Sequence, residues 1–179
     1  LTVDGQKISK TIGNVIDPFE LVKKYGTDAV RYYLLREVSP FEDGDFSYEK
    51  FEELYNADLA NGIGNFTARV LTLGEKLGEI SVDFKKDVLP ATSKKIEEAR
   101  QLVEQKLGEF KFHEAVAAIR ELVAYGDSYI NKEKPWQGDG KKAIVNLIVV
   151  LDNLASFLQP FLPETAEKIT KSIEWADKN

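Results

Sequence analysis

Residues 47–77 read SYEKFEELYNADLANGIGNFTARVLTLGEKL. Phe51, Leu54, Tyr55, Leu59, Ile63, Phe66, Val70, Leu73 and Leu77 step by three or four, so they fall on one helical stripe, and no proline interrupts it. Ser47 stands where an N-cap hydroxyl would accept from an orphan backbone amide. The spacing predicts one unbroken helix, about 45 Å long at 1.5 Å per residue. Beside the apolar stripe, Asn61, Asn65 and Arg69 are four apart and would stack on one face. Two amides and a guanidinium in a row offer donors and acceptors in fixed positions, as reading a base edge requires. The same residues also suit a solvated face, and this stretch alone does not choose.

Working outward, the rest of the chain is helical too. Upstream, Leu1-Thr2-Val3 reads as an extended strand, Asp4-Gly5 as a tight turn and 6–14 as a loop. Asp17-Pro18 starts a helix that stops at Gly26. Thr27 then reads as the cap of a second helix, with Ala29, Val30, Tyr33 and Leu34 inward. Downstream, 78–90 is loose. A helix from about Ser93 to Leu107 places Ile96, Ala99, Leu102, Val103 and Leu107 inward. Another runs from Phe112 to Asn131 and leads into Lys134-Pro135-Trp136. Residues 141–158 are apolar nearly all round, as in the most buried helix of a bundle. Pro163 opens a last helix reaching about Trp175, whose indole reads as packing. The fold class is mainly α: a helical bundle over 47–179, preceded by a short strand-and-helix connecting segment over 1–46.

Composition narrows the function. No apolar run is long enough to span a membrane, and no signal-peptide pattern opens the chain. The absence of cysteine removes disulfides and thiolate metal sites, and a single histidine, His113, removes multi-histidine metal sites; no metal site is expected. A net charge of −6 argues against bulk electrostatic binding of nucleic acid. Residues 1–36 nevertheless carry six Lys/Arg against four Asp/Glu. Any nucleic-acid binding should therefore use a few specific contacts. The chain has no methionine and opens on Leu1, so it is expected to be cut from something longer.

Lys7-Ile8-Ser9-Lys10-Thr11 places two ammonium groups three residues apart among hydroxyls, on a loop able to close over a polyphosphate. With the following Ile12-Gly13-Asn14-Val15-Ile16-Asp17-Pro18, it resembles the KMSKS signature of class I aminoacyl-tRNA synthetases, with Ile8 for methionine and Thr11 for serine. Residues 25–37, YGTDAVRYYLLRE, resemble the helix that follows it. Asp43-Gly44-Asp45-Phe46-Ser47, the run from Tyr55 to Asn61 through Asn65 and Arg69, and Lys134-Pro135-Trp136 are most similar to the methionyl-tRNA synthetase family. Residues 158–166, LQPFLPETA, are similar to the start of its closing helix.

The resemblance implies roles for single residues. Lys7, Lys10 and Ser9 match the loop that acts on ATP phosphates. Asn65 and Arg69 match the helix residues that contact the first anticodon base, with Asn61 in support, and Pro135 and Trp136 match the loop whose indole packs on that base. Asp58 is expected to orient a neighbouring arginine or lysine, and His113 to cap a helix or lie on the surface. The implied parent is a cytoplasmic methionine–tRNA ligase using methionine, ATP and Mg2+ and binding methionine tRNA through its CAU anticodon. The family's H-x-G-H signature and nucleotide-binding sheet find no match here. This chain alone is therefore expected to be an inactive monomer that binds no cofactor and no membrane. A leucine, isoleucine, valine or cysteine enzyme, or a helical scaffold without RNA contacts, are the alternatives.

Overall fold

Asp4 and Gly5 both take positive φ, 48° and 73°, so the chain reverses within two residues, as Asp-Gly favours. The reversal pairs β1 (Thr2–Val3) antiparallel with β2 (Gln6–Lys7), Val3 opposite Gln6. A third strand, β3 (Asp45–Phe46), lies parallel to β1 on its other side. Its Asp45 carboxylate accepts from the Thr2 hydroxyl (2.5 Å) and the Gly5 amide (3.0 Å), which together hold its pKa below the usual carboxylate value. β2 and β3 arise where the periodicity predicted loop and connector, because strands of two residues leave no period to detect. The computed structural model describes residues 2–9, 11, 13–79 and 81–173; the expectations for Lys10 and Trp175 lie outside them.

Asp17 caps α1 (Pro18–Tyr25) by accepting from the Phe19 amide at 2.8 Å. Gly26, at φ 87°, ends α1 and precedes α2 (Thr27–Glu37), so Thr27 is the first helical residue and not the cap. α2 is the wall between two cores. Ala29 and Tyr33 face the smaller one with Val3, Leu21, Phe46, Phe51 and Leu54, while Tyr32 enters the larger one. The spacing placed Leu34 inward, but Leu34 is exposed and Tyr32 is buried in its stead.

The long helix is continuous but not uniform. α3 (Tyr48–Leu54), capped by Ser47, passes into a π-helix (Tyr55–Gly64) and then α4 (Asn65–Glu75). The buried positions run Phe51, Leu54, Asp58, Ile63, Phe66, Val70, Leu73. The step of five from Asp58 to Ile63 falls within the π-helix, whose amides reach carbonyls five residues back. Glycines allow this: a Cβ on Gly64 would stand 2.8 Å from the Leu59 carbonyl oxygen, and one on Gly62 would stand 3.2 Å from that of Ala57. Tyr55 consequently slips off the predicted stripe and is exposed, while Leu59 stays partly buried against both cores.

α6 (Pro90–Gly108), α7 (Phe112–Glu133), α8 (Lys141–Leu158) and α9 (Pro163–Ser172) complete the bundle. α6 starts three residues earlier than the pattern suggested, because Pro90 occupies its first turn. Ile96, Ala99 and Val103 face inward as predicted, but Leu102 is exposed. A short α5 (Phe84–Asp87) lies in the stretch read as loose. Buried Asn146 of α8 holds it, accepting from the Leu89 amide (2.8 Å) and donating to the Asp87 carbonyl (2.9 Å). α8 is buried along most of its length, as its composition predicted.

Two polar junctions fasten α2 to the bundle. Asp28 caps α9 from afar, accepting from the Thr165 amide (2.8 Å) and hydroxyl (2.7 Å), while Arg31 donates to the Pro160 carbonyl (2.8 Å). Asp58, 4% exposed, receives Tyr32 (2.9 Å), Arg36 (2.7 Å) and Arg120 (3.1 Å). Asp58 thus orients arginines, as expected. Burial and the Asp58 carboxylate push the Tyr32 hydroxyl pKa well up. Among the described residues no helix is long and apolar enough to cross a membrane.

Candidate functional site

α7 ends where Lys134 takes the left-handed conformation (φ 44°, ψ 62°), its amide still bonded to the Ile130 carbonyl. The chain then turns through Pro135, which is buried, and returns at Gly140. The two ends of this turn touch: a Cβ on Gly140 would stand 2.0 Å from the Pro135 carbonyl oxygen, so only glycine fits there. Trp136 is held out between them, 53% exposed. Its side is one wall of a cleft of about 310 Å³ lined by Ala68, Arg69, Thr72, Leu73 and Ile130.

Arg69 forms the polar part of that cleft. Its Nη1 donates to Asp127 Oδ1 at 2.7 Å and its Nη2 to Asn131 Oδ1 at 3.0 Å, so one turn of α7 grips both ends of the guanidinium. Asn65 is exposed one turn earlier on α4, on the face that carries Arg69. Asn61 is also exposed, one turn further back in the π-helix, and neither Asn61 nor Asn65 lines the cleft itself. Asp127 and Asn131 had no place in the sequence reading. Their only local signal is an i,i+4 pair just before Lys134-Pro135-Trp136.

At the other end of the molecule, Lys7 is exposed at the end of β2. The loop after it is stapled by Asn14, which accepts from the Ser9 amide (2.8 Å) and donates to the Lys7 carbonyl (3.1 Å). The Ser9 hydroxyl accepts from the Thr11 amide at 3.3 Å, and the Gly13 amide bonds the Ser9 carbonyl. Ile8 and Ile16 anchor the loop against the smaller core. An exposed ammonium beside a hydroxyl-bearing turn is a donor set suited to anionic oxygens. His113 is exposed near the start of α7, on the surface.

Residues 1–71 match the family model described as tRNA synthetases class I (M), and 91–178 match the anticodon-binding domain of tRNA ligase. The chain is 39% identical over 180 residues to a methionine–tRNA ligase of Clostridium acetobutylicum, covering 94% of this chain and 28% of that protein. It is 39% identical over 178 residues to one of Rhizobium meliloti, covering 92% and 34%. Among solved structures, it matches Mycobacterium tuberculosis methionyl-tRNA synthetase in complex with methionyl-adenylate, with a TM-score of 0.79 and 30% identity over 94% of this chain and 36% of that one. The chain spans about a third of the length of the curated relatives it matches.

Proposed function

The chain belongs to the methionine–tRNA ligase family of class I tRNA synthetases, and on that premise we propose that it reads the CAU anticodon of methionine tRNA at the Arg69–Trp136 cleft. The observation that carries this is the pairing of a fixed guanidinium with a half-exposed indole in one cleft. A cytosine edge offers O2 and N3 as acceptors and an exocyclic amine as donor. Arg69 donates, Asn65 does both, and the indole plane stacks, worth about 1–3 kcal/mol per base. Pro135, buried, shapes the loop from beneath, and Asn61 supports Asn65 from one turn earlier.

The Lys7–Thr11 loop serves the other half of the reaction. ATP with Mg2+ would supply the adenylyl group to which the methionine carboxylate is joined, pyrophosphate leaving, before the methionyl group passes to tRNA. Lys7, and Lys10 by its place in the motif, set ammonium charge against the phosphate oxygens, and Ser9 holds the turn. Residues 1–46 then form the connecting unit and 47–179 the anticodon reader. By itself the chain is a cytoplasmic monomer that binds anticodon loops without activating methionine. In support, the sheet among its described residues has strands of only two residues.

The test is binding of an anticodon stem-loop reading CAU beside one reading GAU. CAU is expected to bind preferentially, and Trp136→Ala to weaken it by about 1–3 kcal/mol. Equal binding of both loops overturns the methionine assignment. Methionine-dependent pyrophosphate exchange by the chain alone overturns the claim that it is inactive in isolation.

A further inference from the structure

A guanidinium carries five N–H donors in a planar fork. In Arg69, both terminal nitrogens are already engaged, Nη1 by Asp127 at 2.7 Å and Nη2 by Asn131 at 3.0 Å. The Arg69 and Asp127 side chains are 31% and 29% exposed, so Arg69, which lines the cleft, is paired with a carboxylate behind it and both are mostly shielded from water. An arginine free at such a rim would attach to phosphate, and RNA offers one at every nucleotide. Phosphate contacts carry no sequence information. A carboxylate at 2.7 Å cancels the charge that would draw phosphate, and it fixes the plane of the fork and with it the directions of the remaining N–H groups.

Resting on the anticodon-reading proposal above, we propose that Asp127, seconded by Asn131, is the positioning residue that makes the cleft base-specific. It turns Arg69 from a general phosphate contact into an oriented hydrogen-bond donor. The chain's acidic balance, −6 overall, fits a reader that works by oriented contacts and not by bulk charge. Asn131 holds the second nitrogen without adding charge, so orientation comes from both residues and neutralisation from Asp127 alone.

The two contributions separate experimentally. The unmodified chain, Asp127→Ala and Asp127→Asn are titrated with CAU and GAU stem-loops across a salt series. In Asp127→Ala, orientation and neutralisation are both lost. The preference for CAU is expected to fall about tenfold, and the slope of log K against log salt to steepen by about 0.7, the signature of one added phosphate contact on a single strand. Asp127→Asn keeps an oxygen for Arg69 but no charge, so the preference is largely kept while the slope steepens alike. Asp127→Ala that leaves preference and slope unchanged overturns the inference. So does Asp127→Ala that weakens both loops equally at an unchanged slope, which is what a purely structural residue would do. If the unmodified chain shows no CAU preference, the anticodon proposal fails and takes this inference with it; a preference that ignores Asp127 sinks this inference alone.

Discussion

The turn after Lys7 and the turn after Lys134 both carry candidate site residues at the surface, and they are held by opposite means. The first is stapled by one amide side chain, Asn14, bonding to the Ser9 amide and the Lys7 carbonyl. The second is closed by interpenetration, with the Pro135 carbonyl occupying the space a Cβ would need at Gly140. Hydrogen bonds from one side chain can be exchanged for bonds to water or ligand at little net cost. Steric closure has no such alternative. A loop that must adjust around phosphates through a reaction suits the first design, and a stacking platform that should be formed before its base arrives suits the second. The units beneath differ as well. The smaller core is aromatic, with Tyr25, Tyr33 and Phe46 packed about Phe51, whereas the larger is mostly aliphatic and built around α8.

Three substitutions break or sharpen this contrast, in descending size of effect. Asp58→Ala acts at the junction between the two units, leaving Arg36, Arg120 and the Tyr32 hydroxyl facing one another. About 3 kcal/mol of stability should be lost on denaturant unfolding. That is the low end for breaking a buried ion pair, because Arg120 is about half exposed and water can reach it. Gly140→Ala forces the Trp136 turn open at a cost of about 2 kcal/mol, and stem-loop binding should fall with it; unchanged affinity would mean the cleft does not depend on that closure. Asn14→Ala should cost only about 1 kcal/mol, with faster amide exchange at Ser9 and no change in stem-loop affinity. A loss of anticodon affinity here would show that the two turns are not independent.

Much of the candidate site was legible from residues close together in sequence. Asn65 and Arg69 share a face because a helix repeats there, and Lys134-Pro135-Trp136 announces a turn at a helix end. Asp17 and Ser47 cap the helices they precede, as their side chains predicted. The same reasoning failed where one residue competes with its neighbour for the core. Tyr32 is buried where Leu34 was expected because α2 meets two cores and the Tyr32 hydroxyl has a carboxylate to reach. A helical period read at 3.6 did not detect the π-helix, although Gly62 and Gly64 mark the place where one fits.

Whereas Trp136, 67 residues on, was tied to Asn65 and Arg69 only by the family resemblance, the sequence by itself determined the order of helices, their caps and breaks, and the placing of Asn65 and Arg69 on one face. Those features depend on backbone preferences and side chains within a turn or two of each other. Only the tertiary structure decided that Arg69 is gripped by residues 58 and 62 positions away, and that Asp28 caps a helix 137 positions on. It also made α2 a wall shared by two cores. Such contacts are set by how whole helices pack, and neither partner's sequence neighbourhood carries the distance between them.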